Sequence, residues 1–212
     1  GDGATTVVLL HGLLGSHRNL ATLSRRWSCE DPALRIVLPD LLGHGEAAPL
    51  PPGADLDVVA SAVFDLVQGI VGAQPVWLVG HSLGGRVALA MAAREPRRVS
   101  RLSLLDIAPG PVSTRQMELV AVVDALLRAP GWARDRAAMR DTLEGTFGLD
   151  TQVVDWLLMN LVRRHDHHMW KIDRQAIAEF SKRVGDADLW SAVEEPHRPF
   201  GVDCIYGGRS DF

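Results

Sequence analysis

WLVGHSLGGRVALA (77–90) sets Ser82 between an apolar, strand-forming run and an alanine-rich run without proline that favours helix. Gly80-His81-Ser82-Leu83-Gly84 fits G-x-S-x-G at the point where strand passes into helix. A turn that sharp crowds its neighbours, so the flanking positions need residues without a side chain. It lifts the serine hydroxyl above the strand end, at a helix N-terminus whose free N–H groups favour developing negative charge. The spacing therefore points to Ser82 as a nucleophile rather than to a plain glycine-rich link.

Working outward, four more apolar runs accompany PVWLVG (75–80): TTVVLL (5–10), RIVLP (35–39), RLSLLD (101–106) and VDCIYG (202–207). Near-continuous Val, Ile and Leu runs suit strands buried on both faces of a parallel sheet. Helical spacing lies between them, as in DLDVVASAVFDLVQGIVG (55–72) and Leu83 to Arg94. Strand alternating with helix argues for right-handed crossovers and an α/β fold. The alternation stops after Asp106. Residues 112–195 show helical patterns at 114–129, 132–147, 150–164 and 173–184 and no convincing strand. The expected organisation is an α/β core over 1–111, an inserted helical cap over 112–195, and a return to the core over 196–212.

HGLLGS (11–16) follows the first strand. Acyl transfer needs two preorganised donors for an oxyanion. The N–H of Leu83, after the serine, and that of Leu13, after His11-Gly12, are the candidates. His11, Gly12 and His81 would then border the substrate.

HGLLGS, PDLLGHGEA (39–47), GHSLGG (80–85) and LDIAP (105–109) together resemble the α/β-hydrolase-fold serine hydrolases, and most of all a branch of capped bacterial esterases and acyl-CoA thioesterases. The likeness runs over essentially the whole chain; GHSLGG is common to many branches, while LDIAP and NLVRR (160–164) are narrower. It implies an α/β-hydrolase fold with a mostly parallel sheet, and an ester or thioester hydrolase without a cofactor. It also implies an acid. Most of the superfamily uses the position matched by Asp211, whereas the branch with LDIAP uses that matched by Asp106, which is favoured here. The family's base histidine follows one strand beyond the last strand present, and a strand pair usually precedes the first. The 212 residues are accordingly expected to be part of a longer protein or a truncated form of one.

The sequence holds eight histidines that could substitute for that base. His81 should point away from the hydroxyl on such a turn. His11 and His44 belong to glycine-rich turns, and His17 lies early in the first helix. His197 stands where the insertion rejoins the core. His165, His167 and His168, with Asp166, look like a metal cluster but read better as a solvated helix end; no metal is expected.

Trp132, Trp156, Trp170 and Trp190, with Met117, Met139, Met159 and Met169, fall in the insertion. They read either as the insertion's own packing or as a deformable roof over an acyl chain, with Trp156 and Met159 able to share a helix face.

The totals narrow the class. A composition with 47% hydrophobic residues is enough for one sizeable core, and a formal net charge of -4 without basic runs argues against nucleic acid, while a small-molecule acyl ester or thioester as partner is what the resemblance implies. Apolar runs are strand-length, short of the ~18 residues of a membrane span, so no membrane partner is expected. Cys29 and Cys204 lack CxxC spacing and read as ordinary thiols of a cytoplasmic protein, monomer or homodimer. Serine at 82 opposes chemistry that needs a carboxylate nucleophile there.

Overall fold

The computed structural model describes residues 5–111 and 117–208. Along the chain run β1 (Thr6–Leu10), α1 (His17–Glu30), β2 (Arg35–Val37), α2 (Leu56–Val71), β3 (Val76–His81), α3 (Leu83–Arg94) and β4 (Val99–Leu105). Then come α4 (Met117–Arg128), β5 (Trp132–Ala133), α5 (Arg136–Gly145), α6 (Thr151–Leu158), β6 (Leu161–Arg164), β7 (His167–Trp170), α7 (Arg174–Gly185), α8 (Ser191–Glu194) and β8 (Gly201–Ile205).

β2, β1, β3, β4 and β8 lie side by side in that order, every pair parallel. Side chains alternate across the sheet. Val8 and Leu10 of β1 join Leu78, Leu102 and Leu104 in the main core, under α2 and α3. Val7 and Leu9 turn the other way and pack with Val79, Leu20 and Trp27, the last two from α1. The sheet is therefore covered by helices on both faces, and all five apolar runs of the sequence are its strands.

Helix ends follow simple capping chemistry. Carboxylates of Asp55, Asp135 and Asp173 accept from the amides of Val58, Ala138 and Ala176 at 3.0, 2.8 and 3.0 Å. Each such cap contributes about 1 kcal/mol.

The segment between β4 and β8 departs from the all-helical expectation. β5, β7 and β6 form a second, antiparallel sheet. The helix expected over 150–164 ends at Leu158, and the chain re-emerges as β6. His165 and Asp166, expected at a helix end, form the tip of the β6–β7 hairpin, with His165 at φ 53. The cause is visible in the pairing. Leu161 and Trp170, partners across the two strands, both turn inward and are buried, whereas Val162 and Met169 face outward beside Trp132.

Candidate active site

Ser82 stands between β3 and α3 at φ 51, ψ −117, a region that costs about 1–3 kcal/mol for a residue with a side chain. Three backbone hydrogen bonds hold it there. Its N–H donates to the Leu105 carbonyl at 3.1 Å, and its carbonyl accepts from Gly85 and Arg86 at 2.9 and 3.2 Å. The flanking glycines are sterically required. A Cβ on Gly80 would lie 2.3 Å from the carbonyl oxygen of Gly84, and one on Gly84 would lie 2.3 Å from that of Leu10.

The HGLLGS loop closes on the same spot. A Cβ on Gly12 would lie 3.5 Å from that of Ser82. The Gly15 N–H donates to the Gly12 carbonyl at 3.1 Å, making a tight turn in which Leu14 takes φ 56. No described group accepts from the N–H of Leu13 or of Leu83, so both amides remain free to bind. His11 shapes this loop and is fully engaged in doing so. Its Nδ1–H donates to the Gly12 carbonyl at 2.8 Å, and its Nε2 accepts from the Leu41 amide at 3.0 Å. Burial holds its pKa below the ordinary histidine range, so it stays neutral.

Leu13, Ser82 and Leu83 border one cavity of about 630 Å3. That size and a mainly aliphatic wall suit an apolar small-molecule ligand. The opposite wall comes from α4, through Leu119, Val120, Val123 and Leu127, and from α7, through Ala178 and Val184. Of the two readings of the tryptophans and methionines, packing within the insertion or a roof over an acyl chain, the roof is not found there among the described residues. Trp156 packs half-buried against the main core, and Met159 is exposed; neither reaches the cavity. Trp132 is 62% exposed on the outer face of the small sheet, while Trp170 and Met139 are core. The side chain of Met117 lies outside the described residues.

Asp106 follows β4 and adjoins the serine turn. His81 pairs with Leu105, so Ser82 and Asp106 are each the first residue past that pair. Asp106 also has a positive φ, 55, and its Oδ1 accepts from the Gly207 amide at 3.3 Å. Asp211 lies outside the described residues.

None of the eight histidines hydrogen-bonds the Ser82 hydroxyl or lines the cavity among the described residues. His81 lies against Gly12, and Asp106 pulls its pKa up against a stronger lowering by partial desolvation. His17 Nδ1 is bound to the Asp40 carboxylate at 3.0 Å. His44 donates from Nδ1 to the Leu42 carbonyl at 3.0 Å. His197 stands on the surface near Glu195.

Two polar residues at the site carry no role in the sequence reading, although the second, Asn160, opens the NLVRR motif. Arg86, on α3 and only 2% exposed, borders the cavity. Its Nε and Nη1 donate to the carbonyls of Val184 and Gly110 at 2.9 and 2.8 Å, and Nη2 to that of Ala187. The end of α7 is thereby fastened to the helix that carries Ser82. Asn160, buried between α6 and β6, donates from Nδ2 to the Leu14 carbonyl at 2.8 Å. Neither contact leaves a periodic signal in sequence.

A family model described as alpha/beta hydrolase fold matches residues 5–186. The lipase LipV of Mycobacterium tuberculosis is 34% identical over 158 residues, which cover 73% of this chain and 56% of that protein. The sn-1-specific diacylglycerol lipase ABHD11 of Xenopus laevis is 26% identical over 211 residues, 97% of this chain and 65% of its own length. The chain thus spans between about half and two thirds of these two relatives. A marine microorganism esterase of known structure superposes with a TM-score of 0.81 at 20% identity, covering 98% of this chain and 88% of that one.

Proposed function

The chain belongs to the α/β-hydrolase fold family, and from that premise we propose that it carries the nucleophile side of a serine hydrolase that cleaves carboxylic esters or acyl thioesters of small apolar acyl groups. The observation that carries this reading is the opening of the strained Ser82 turn, beside the unengaged amides of Leu13 and Leu83, into a mainly aliphatic cavity. Ser82 Oγ attacks the carbonyl carbon while an imidazole takes its proton. The carbonyl oxygen, now negative, is met by the two amides. The alcohol or thiol leaves with that proton, and water later releases the acyl group from the serine. Asp106 orients the imidazole and stabilises its charged form. The imidazole itself comes from outside the described arrangement, since no described histidine reaches the hydroxyl. In this reading residues 112–195 act as a cap, whose α4 and α7 hold the acyl chain. Two free, exposed thiols support a reducing, cytoplasmic setting.

A fluorophosphonate probe applied to the full-length natural protein tests the reading. Ser82 is labelled, Ser82→Ala is not, and short p-nitrophenyl esters turn over. Absence of both labelling and turnover, where a control hydrolase responds, would favour a second reading: a binding protein that keeps cavity and serine without chemistry. The observation that favours that reading is that no histidine hydrogen-bonds the Ser82 hydroxyl among the described residues. Labelling without ester turnover would point instead to amide, carbon–carbon or elimination chemistry on the same serine.

A further inference from the structure

The free amide of Leu13 shares its peptide with the Gly12 carbonyl, which accepts from the Gly15 N–H and from His11 Nδ1–H; the other half of the turn, at Leu14, has no such local partner. Its residue at positive φ, Leu14, is not a glycine, and the left-handed region is unfavourable for a branched side chain. One backbone bond, Gly15 to Gly12, closes the turn. The Leu14 carbonyl, buried with its residue, takes its hydrogen bond from a side chain 146 positions away, Asn160 Nδ2 at 2.8 Å. Asn160 is itself fixed. It is 6% exposed, its N–H donates to the Leu157 carbonyl at 3.0 Å, and its carbonyl accepts from the Lys171 amide at 2.8 Å. The amide thus sits on a rigid joint between α6, β6 and β7 and reaches into the loop after β1.

We propose that Asn160 is a positioning residue: by holding the Leu14 carbonyl it fixes the peptide whose Gly15 N–H closes the turn on Gly12, keeps the adjoining Leu13 N–H in its direction together with His11, and so couples the segment between β4 and β8 to stabilisation of the oxyanion. This rests on the assignment of Leu13 as an oxyanion donor. An apolar residue at 160 leaves a buried carbonyl unpaired, and the turn relaxes toward any arrangement that satisfies it. Misaiming one such donor weakens transition-state binding more than substrate binding.

The test uses the full-length protein with Asn160→Leu and the near-isosteric Asn160→Asp. Four quantities are read: kcat and KM on a p-nitrophenyl ester, the affinity of a trifluoromethyl ketone that forms a tetrahedral adduct with the serine, amide hydrogen exchange at Gly15, and melting temperature. The expected result for Asn160→Leu is a fall of ~10-fold or more in kcat, KM within a factor of about two, an equal loss of ketone affinity, and faster exchange at Gly15. Asn160→Asp regains kcat relative to wild type as the pH falls and its carboxyl gains a proton to donate. It carries the same comparisons if the leucine variant does not fold. Unchanged kcat and ketone affinity in a folded variant would overturn the proposal, as would unchanged exchange at Gly15. Failure of the hydrolase reading is seen separately, as a wild-type protein that neither turns over ester nor takes the fluorophosphonate.

Discussion

Ser82 and Asp106 leave neighbouring strands at the same level, each at a positive φ, 51 and 55. Parallel strands lie about 4.8 Å apart, so the two residues stand side by side at the carboxyl edge of the sheet. Each is tied at its backbone to the strand on its right in the order given: Ser82 N–H to Leu105, and Asp106 N–H to Ile205 at 2.8 Å. The sheet hydrogen bonding that ends β3 and β4 is thus also what turns both side chains out of it.

That arrangement separates the two candidate acids. Asp106→Asn keeps shape and removes charge. In the full-length enzyme it should lower kcat by ~10²–10⁴-fold with little change in KM. Asp211→Asn should stay within a few-fold of wild type. Steady-state kinetics on one ester decides, and the reverse ranking would transfer the role to Asp211.

The glycines of the serine turn should be intolerant in a way that other glycines are not. Gly84→Ala drives a Cβ onto the carbonyl of Leu10 and should cost ~3 kcal/mol or more, with loss of probe labelling. Gly69, exposed near the end of α2 with nothing within 4 Å of its Cβ position, should gain ~0.5–1 kcal/mol on Gly69→Ala. Urea titration of the two variants gives opposite shifts in midpoint.

Acid should weaken the fold through His44. It is 1% exposed and its pKa is pushed down to about 4, first by burial and then by the repulsion that a second proton on neighbouring His11 would meet. A depressed histidine pKa means the folded state binds the proton less readily than the unfolded chain. Stability is therefore intact above the unfolded value near 6.5 and declines as the pH falls from there to about 4. The loss from this group amounts to about 3 kcal/mol, and His11, shifted the same way, adds to it. Urea midpoints across this range should fall steeply for wild type and less steeply for His44→Asn, whose amide can still donate to Leu42.

Arg86→Met removes the donors of three carbonyls and should cost ~3 kcal/mol or more. Arg86→Lys cannot reach all three and should recover only part. Because the Arg86 contacts hold the end of α7 against the cavity, the weakened variants should also lose preference among acyl chain lengths. Denaturant midpoints and an ester panel report the two effects.

Much of this was legible in the sequence because two signals coincide with physical necessity. Apolar runs such as TTVVLL mark strands buried on both faces. Glycines at 80 and 84 mark a turn with no space for Cβ. The β6–β7 hairpin was not legible. LVRR continues the helical rhythm of the preceding residues, and its exit from helix is decided by burial of Leu161 against Trp170 across the hairpin, a tertiary contact. Which residues wall the cavity was not legible either, and Trp156 and Met159, the two named for the substrate, do not reach it. Tryptophan and methionine attract attention as ligand-binding residues, but Trp170 and Met139 are spent on the core, while plain aliphatics such as Val120 and Val123 meet the cavity. Arg86 is an ordinary polar letter until the fold buries it, and Asn160, although it opens the NLVRR motif, shows its partner Leu14 only in the fold.

The cavity is a composite of two lineages of surface. Leu13, Ser82 and Leu83 come from tight turns past strand ends, where flanking glycines leave no space for a side chain, and Leu119, Val120, Val123 and Leu127 come from one helix, whose Val120 side chain is 67% exposed. Drift in ligand preference can therefore accumulate in descendants of this gene on α4 while the reacting corner stays frozen, and grafting residues 117–128 between relatives should transplant appetite without touching chemistry.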